Sequence, residues 1–297
     1  MANLKEIRSR ITSISSTRQI TSAMKMVSAA KLRRAQDSIT QMRPYANKLK
    51  ELLENLSEST EGSAEDIYTV EREIENVLII PITSNRGLAG AFNTNVIKET
   101  NRLINETYAD RSVTVLAIGK KASDYYRKTE YNIKGTTLPR HMGDIFDNMS
   151  FELAADYAQR IMDGFVYKQF DKVELVYNQF VNAASQIVQV EQYLPIVPQA
   201  EGKGNKDDKS QIEYIFEPSK EFIIAELIPK SIKIQLYKAI LDSNAAEHGA
   251  RMTAMHKATD NATELIDDLK LVYNKARQAS ITNEILEIVG GAEALNN

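Results

Sequence analysis

A glycine-rich segment, RGLAG at 86–90, is the first place in the chain where chemistry could be expected. It follows the apolar run VLIIPI at 77–82 and precedes an amphipathic run, so it connects a predicted strand to a predicted helix. Glycines at such a turn let backbone amides approach a phosphate. The spacing fits neither GxGxxG nor GxxxxGK followed by Ser or Thr. A tight strand-to-helix turn is therefore favoured over a phosphate cradle.

Histidines and nucleophiles are the next candidates for chemistry. The three histidines are His141, His248 and His256. Only the last two can share a helix face, and they have no further metal ligands beside them, so a metal site is not expected. The absence of cysteine excludes disulfides and thiolate metal sites and fits a reducing compartment. Scattered Ser and Thr residues lack the His and Asp neighbours of a nucleophilic site. We predict no catalytic residue, no cofactor and no metal.

The distribution of charge along the chain is uneven. Residues 1–50 contain eleven Lys and Arg against two acids, Glu6 and Asp37, a net +9, which leaves −12 for the other 247 residues of a chain whose total is −3. A basic segment on an acidic body indicates an anionic partner, which can be a nucleic acid, a membrane surface or an acidic protein. The sequence contains no apolar run near the ~18 residues that span a bilayer. The start of the sequence also lacks the apolar core of a signal peptide.

The first 60 residues predict one long helix. Apolar or small residues recur there in steps of three and four, which is the pattern of a coiled coil. Pro44 should kink this helix, because proline lacks the backbone donor and clashes with the preceding turn. The predicted buried positions are Leu4, Ile7, Ile11, Ile14, Ile20, Met24, Val27, Ala35, Ile39, Met42, Ala46, Leu49, Leu53 and Leu56.

The last third of the chain predicts a second long helix, from residue 230 after Pro229 to residue 289 before the glycines at 290 and 291. Gly249 is its one weak point. Two helices of similar length at opposite ends of the chain favour one antiparallel coiled coil. The predicted buried positions of the second helix are Met255, Thr259, Ala262, Ile266, Leu269, Tyr273, Ala276 and Ser280.

The middle of the chain alternates between strands and helices, which predicts a small α/β sheet with crossovers. We divide the chain into residues 1–60, 61–215 and 216–297. The segment 198–211 is polar and is predicted to be a mobile loop. The predicted strands are 77–82, 113–119, 172–180 and 185–196, and the predicted helices are 94–107, 120–129 and 151–165.

The surface of the first helix leaves two interpretations open. Ser22, Ala23, Ser28, Ala29 and Ala30 give it a slim surface. Small side chains allow either close packing against another helix of a coiled coil or a smooth contact with a partner that moves along the helix surface. On base rates, the basic run KLRRAQ at 31–36 is a solvated helix face. Nucleic-acid binding usually needs interleaved aromatic side chains, and Tyr45 is the only aromatic residue of this helix.

With these segments interpreted, the chain resembles the gamma-subunit family of F-type ATP synthases. Residues 5–36, the segment SNRGLAGAFN at 84–93 and residues 250–295 are similar to the family's N-terminal helix, central loop and C-terminal helix. Asn85 departs from the family pattern, which usually has Asp there. The family's ITxExxE…GA motif corresponds to Ile281, Thr282, Glu284, Glu287, Gly291 and Ala292.

The resemblance implies a mixed α+β and α/β fold, in which a long antiparallel two-helix coiled coil carries a central Rossmann-like α/β domain. It also implies a rotor shaft inside a hexamer of three alpha and three beta subunits, seated with the epsilon subunit on a membrane ring of c subunits. Rotation then drives the catalytic beta subunits, and the chain itself performs no chemistry. The expected location is the cytoplasmic face of a bacterial inner membrane, as a peripheral protein associated with the membrane only through the complex.

The resemblance also implies which residues contact the hexamer. Met24 and Lys25, with the Arg86–Gly87 loop close by, correspond to positions beside the lever of a beta subunit. The other implied contacts lie in the C-terminal region, where Arg277 and Gln278 match a hydrogen-bonding catch. Ile281, Ile285 and Ile288 share one helical face there, for which we predict an apolar bearing. These contacts are Arg251, Arg277, Gln278, Thr282, Ile285, Glu287 and Ile288.

Two other classes of protein remain as alternatives. The net charge of +9 in residues 1–50 alone would also permit a coiled-coil protein that associates with nucleic acid. Such a protein would bind DNA in a salt-sensitive way and would not co-purify with ATPase subunits. An enzyme built on the α/β domain would need a nucleotide-binding fingerprint, and the sequence does not supply one.

Overall fold

We describe the protein from a computed structural model. The structure describes residues 4–58, 67–70, 72–133, 138–139, 142–196 and 220–296, so the segment 198–211, predicted to be a mobile loop, lies outside the described residues. The chain divides into two compact units. The first unit, here called the helical unit, combines Met1–Ala29 with Arg251–Asn297, and the second comprises Ala30–Ala250.

Two long helices run through the ends of the chain: α1 spans Leu4–Glu58 and α5 spans Lys220–Asn296. Two predicted boundaries are wrong, because α5 begins before Pro229 and continues through the glycines at 290 and 291. A proline removes one hydrogen bond and clashes with the preceding turn, at about 3 kcal/mol, and a glycine lowers helix propensity by about 1 kcal/mol relative to alanine. Neither change is enough to end a long helix.

The buried face of α1 follows steps of three and four without a break over the described side chains. The predicted positions Ile20 and Val27 are 60% and 57% exposed, so that part of the prediction is wrong. Thr21 and Ser28, 9% and 3% exposed, occupy the face instead, because one residue turns the helix by about 100°. Leu53 and Leu56 lie outside the described side chains. The face consists of Ile7, Ile11, Ile14, Arg18, Thr21, Lys25, Ser28, Leu32, Ala35, Ile39, Met42, Ala46 and Leu49.

The buried face of α5 in the helical unit confirms the prediction position by position. Each predicted residue from Met255 to Ser280 is buried or half-buried, and the side chains from 281 to 292 are exposed. Thr21 Oγ1 lies 2.8 Å from Thr259 Oγ1, and Lys25 Nζ lies 3.1 Å from His256 Nδ1. Residue numbers rise along α1 while they fall along α5, so the two helices of this unit are antiparallel, as predicted.

The second unit contains a four-stranded sheet in the order β2-β1-β3-β4. The strands are β1, Asn76–Pro81; β2, Ser112–Val115; β3, Lys172–Phe180; and β4, Gln186–Leu194. β1 pairs in parallel with both β2 and β3, and β4 is antiparallel to β3. All four strands fall within or beside the predicted segments, which confirms the α/β domain.

Helices cover both faces of the sheet. The helices are α2, Phe92–Arg102; α3, Lys120–Tyr126; and α4, Phe151–Val166. A π-helical turn, Leu103–Thr107, follows α2. Alternate residues of β1 point to opposite faces, so Leu78 and Ile80 pack with α4 and α5, whereas Val77 and Ile79 pack with α2 and α3.

Candidate functional site

The glycine-rich segment after β1 is a tight turn fixed by its own hydrogen bonds. The Ser84 N–H donates to Asn93 Oδ1 at 2.9 Å, and the Ser84 hydroxyl donates to the Arg86 carbonyl at 2.6 Å. Leu88 and Gly90 have positive φ angles of 63° and 56°. Because that conformation costs a leucine about 1 to 2 kcal/mol, the surrounding contacts must hold the turn in place.

Asn85 joins this turn to two other parts of the domain. Its Oδ1 accepts a hydrogen bond from the Lys120 N–H at 3.0 Å, and its Nδ2 donates to the Gly143 carbonyl at 2.8 Å. Both halves of the amide are therefore in use. A carboxylate at this position could accept the first bond but could not donate the second.

Backbone atoms fill the space between the carboxyl ends of β1 and β2. Gly119 has a φ of 98°, and a Cβ on it would lie 2.0 Å from the Thr83 carbonyl oxygen. Thr83 Oγ1 also accepts a hydrogen bond from the Ala122 N–H at 2.9 Å. In open α/β sheets, ligands bind outside the carboxyl ends of strands where the strand order reverses, which here is between β1 and β3.

The same edge of the sheet is covered by the chain's own helix α5. Ala89 and Phe92 pack against Ala246 and Ala250, with Phe180 beside them. The buried Ser243 hydroxyl lies 3.5 Å from the Ile82 carbonyl oxygen. The usual ligand position is therefore an internal packing contact, and the segment RGLAG serves as a turn in this domain.

The helical unit contains a polar stretch where apolar side chains are usual for a coiled coil. Thr21 and Thr259 share a hydrogen bond, and each also lies within hydrogen-bond distance of a carbonyl oxygen of its own helix. Lys25 contacts His256, whose Nδ1 also lies 3.4 Å from Asp260 Oδ2. Polar residues at such positions fix the register of a coiled coil at some cost in stability.

The structure places most predicted contact residues of the helical unit on its surface. Met24 and Lys25 are half-buried on α1, and Arg251 on α5 is only 7% exposed. The Thr282 hydroxyl donates to the Gln278 carbonyl at 2.9 Å. The exposed members of the predicted set on α5 are Arg277, Gln278, Thr282, Ile285, Glu287 and Ile288.

The remaining predicted contacts, Arg86 and Gly87, belong to the turn after β1 in the second unit. Arg86 is exposed, and a Cβ on Gly87 would lie 3.8 Å from Lys121 Cε. Two exposed lysines, Lys120 and Lys121, begin α3 at the same end of the sheet. The turn therefore presents positive charge, which sequence reasoning noticed only for α1.

Sequence reasoning missed several features of the helical unit. It assigned Ile20 and Val27 to the coil, and it did not foresee the pairing of Thr21 with Thr259 or of Lys25 with His256. Spacing alone could have identified these positions. Steps of four and three that continue from Ile14 lead to residues 18, 21, 25 and 28. Hydropathy instead favoured the neighbouring apolar residues Ile20 and Val27 as the buried positions.

The described parts of the chain contain neither a candidate metal site nor a candidate membrane-spanning helix. Among those residues no group of three His, Cys, Asp or Glu side chains is placed to hold a metal ion. None of the described helices is both long enough and apolar enough to cross a bilayer. His141 lies outside the described residues.

Comparisons with known proteins relate the whole chain to a single family. A family model described as ATP synthase matches residues 3–295. The ATP synthase gamma chain of Flavobacterium johnsoniae is 62% identical over 296 residues, covering 100% of both chains, and that of Flavobacterium psychrophilum is 61% identical, covering 99% of both. The fold is similar to a chain of the Euglena gracilis mitochondrial ATP synthase, OSCP/F1/c-ring in rotational state 3, with a TM-score of 0.70, 24% identity and coverage of 98% of this chain and 94% of that one.

Proposed function

The chain belongs to the ATP synthase gamma-chain family, and from this premise we propose that it is the central rotor shaft of an F-type ATP synthase. It couples rotation of a membrane c-ring to conformational changes in a hexamer of three alpha and three beta subunits. Those changes carry ATP synthesis in one direction and ATP hydrolysis in the other. Coupling of this kind requires contacts that differ between the states of the hexamer.

The observation that carries this proposal is the apolar surface of the helical unit. Large apolar side chains stand exposed on both of its helices, where a monomeric protein would bury them or replace them. An enclosing partner removes them from water. These residues are Ile20, Met26, Val27, Leu265, Leu271, Val272, Ile281, Ile285, Leu286, Ile288 and Val289.

The tip of α5 suits a bearing. Ile285 and Ile288 are 54% and 71% exposed, and Ile281 lies one turn before them. Apolar contacts have no direction, so they can be exchanged as the shaft turns. A hydrogen bond at the same place would be broken on every turn, at a cost of about 1 kcal/mol.

Hydrogen-bonding contacts are expected earlier on α5, before the isoleucines of the bearing. Arg277 and Gln278 are exposed there, and we assign them to a catch that forms in one state of a beta subunit and opens in the next. Thr282, Glu287 and Arg251 complete the contacts that affect coupling. The exposed guanidinium and amide groups supply donors in a fixed geometry.

Positive charge provides a second, weaker kind of contact. Lys31, Arg33 and Arg34 are exposed on α1, and Arg86 is exposed on the turn after β1. An acidic lever on each beta subunit would meet these charges in succession, together with Met24, Lys25 and Gly87. Exposed charges attract weakly and are screened by salt, so such contacts can be renewed in each cycle.

The α/β domain contacts the rest of the rotor in this proposal. Of the three predicted segments, 61–215 meets the epsilon subunit and the c-ring, while 1–60 and 216–297 form the shaft. The chain is a non-catalytic subunit, and catalysis lies in the beta subunits. The packing of α5 over the carboxyl end of β1 supports this assignment, because it occupies the usual ligand position. The complex is held at the cytoplasmic face of the bacterial inner membrane, with the chain as a peripheral member.

Reconstitution with alpha and beta subunits tests the proposal. The full chain should co-purify with both subunits and support rotation driven by ATP in a single-molecule assay. Failure to assemble with alpha and beta subunits would overturn the shaft assignment.

A pair of variants tests the catch in the same complex. Gln278→Leu should assemble but slow ATP hydrolysis by about fivefold, the effect of losing one hydrogen bond. The matched control is Asn274→Leu, one turn earlier and also exposed, which should change the rate less than about twofold. Equal rates of ATP hydrolysis for the two variants would show that Gln278 is not part of the catch.

A further inference from the structure

One ring nitrogen in the helical unit faces two groups of opposite charge. Nδ1 of His256 lies 3.1 Å from Nζ of Lys25 on α1 and 3.4 Å from Oδ2 of Asp260, one turn further along α5. We call these three residues the Lys25 cluster. His256 and Asp260 are exposed, whereas Lys25 is half-buried.

Nδ1 of His256 cannot serve both neighbours at once. A lysine ammonium can only donate, so a contact with Lys25 requires a bare Nδ1 with its lone pair free. A carboxylate can only accept, so a contact with Asp260 requires a hydrogen on Nδ1. In the doubly protonated ring both nitrogens carry hydrogen, and the ring's positive charge then attracts Asp260 and repels Lys25.

We propose that His256 is a positioning residue for Lys25, holding its ammonium against the coil when the ring is neutral and releasing it when the ring is protonated. Histidine is the side chain that most readily changes charge between about pH 5 and pH 8. The charged groups that face Nδ1 of the ring are Lys25 from α1 and Asp260 from α5. Acidification therefore frees Lys25.

The location of Lys25 gives this release a consequence. Lys25 occupies a position on the buried face of α1 between Thr21 and Ser28, which are both buried. Its long aliphatic stem can lie along the coil while the charged end reaches outward. When His256 holds that end, the ammonium is directed to the chain's own helix, and when His256 releases it, the ammonium is available to an acidic partner. This last step rests on the proposed function, in which Lys25 faces a beta subunit.

Chemical labelling of the isolated full chain tests the positioning without any partner. An amine-acylating reagent is applied between about pH 8 and pH 5, and peptide mass spectrometry gives the labelling of Lys25 relative to Lys98, an exposed lysine on α2. A neutral His256 holds the Lys25 amine against the coil and away from the reagent, and a protonated ring repels the amine outward. The ratio should therefore rise about two- to fourfold on acidification, the size expected for an exposed charge contact.

Two variants provide the controls for the labelling. His256→Gln keeps an acceptor that does not ionise, so its ratio should stay flat across the same range. Asp260→Asn leaves the ring and Lys25 in place, so the rise should remain. The same rise in His256→Gln as in the unaltered chain, or a flat ratio in both, would overturn the proposal.

The assembled complex tests the consequence for the partner. The pH profile of ATP hydrolysis should differ between the unaltered chain and His256→Gln by about twofold at the acid end. That difference should disappear when both chains also carry Lys25→Ala. If labelling behaves as expected but the two profiles coincide, the inferred effect on the partner is wrong. Failure to assemble at all would count against the proposed function, and the labelling result would stand.

Discussion

At the scale of single residues, Asn85 shows how one side chain fixes the geometry of the turn after β1. Its amide accepts from the Lys120 N–H and donates to the Gly143 carbonyl, so three separate segments meet at one group. The resemblance to the family implies that Asp is usual at this position. An Asp can make only the accepting half of the arrangement, so this chain depends on a donor that the family pattern lacks.

Replacing Asn85 with the family residue should destabilise the domain. Asn85→Asp loses the donation to Gly143 and sets a carboxylate against a carbonyl oxygen, which should lower the free energy of unfolding by about 1 to 3 kcal/mol. Urea unfolding followed by circular dichroism measures the change. Asn95→Asp is the control, because Asn95 is exposed in the first turn of α2, where a negative charge is favourable. Equal stability of the Asn85→Asp chain and the unaltered chain would contradict the importance of the Gly143 bond.

At the scale of elements, the glycines of α5 occupy two kinds of environment. A Cβ on Gly249 would lie 3.3 Å from both Cα and the carbonyl oxygen of Ala183, so this glycine permits close packing on the β3–β4 turn. A Cβ on Gly290 would meet nothing within 4 Å. Gly249 lowers helix propensity, but its lack of a side chain is required for packing. Gly290 lowers helix propensity without any such packing requirement.

Substitution of these two glycines should have opposite effects. Gly249→Val should lower the free energy of unfolding by about 1 to 3 kcal/mol, because the added methyl groups must push the turn aside. Gly290→Ala should strengthen the helix end by up to about 1 kcal/mol. Thermal unfolding measures the first change, and hydrogen exchange of the amides near residue 290 measures the second. A Gly249→Val chain as stable as the unaltered one would show that the turn yields freely.

The threonine pair in the helical unit is a second test of an element. Thr21 and Thr259 bond each other but can each also donate to their own helix, so removing one leaves no unpaired group. Thr21→Val should change stability by less than about 1 kcal/mol. A double-mutant cycle with Thr259→Val should give a coupling energy of about 0.5 to 1 kcal/mol. A coupling energy of zero would mean that the two hydroxyls do not pair in solution.

How far the elements could be predicted depended on which force positions them. The four strands followed from apolar runs and alternation, and the buried face of α5 from Met255 to Ser280 followed from its steps of four and three, because apolar burial decides both. The register of α1 between Ile14 and Leu32 did not, since the buried positions there are occupied by Thr21, Lys25 and Ser28, which hydropathy ranks below Ile20 and Val27. The use of Ser243 and the alanines around it to close the sheet edge depends on tertiary contacts, which no local pattern encodes.

At the scale of the whole molecule, the helical unit has a large apolar surface and a small interior. Two helices can bury only one stripe each, and its stripe contains Thr21, Lys25 and Ser28 among its residues. The exposed side chains from 281 to 292 extend that surface to the end of α5. The second unit, with helices on both faces of a sheet, has a conventional core.

This contrast predicts uneven resistance to proteases. In the isolated chain, cleavage should begin within Met1–Ala29 and Arg251–Asn297 and leave the sheet intact, because helices with few buried contacts open at low free energy. Co-expression with alpha and beta subunits should suppress that cleavage. Limited proteolysis with mass spectrometry identifies the sites, and uniform resistance of the isolated chain would contradict the prediction.

Removal of the residues after Gly291 tests the role of the tip. If the tip is a bearing, this truncation should leave assembly and rotation nearly unchanged, because Ile281, Ile285 and Ile288 all remain. Single-molecule rotation and ATPase assays measure the result. Loss of assembly would show that the final residues anchor the shaft.

The helical unit is assembled from two segments that are far apart in the sequence, and this affects its synthesis on the ribosome. Residues 1–29 emerge well before their packing partner, which begins at Arg251. At typical translation speeds the delay is roughly 10 to 45 s. Throughout that time an amphipathic segment has no native partner in its own chain. We therefore expect the nascent segment 1–29 to be bound by chaperones until the residues from Arg251 onward have been translated.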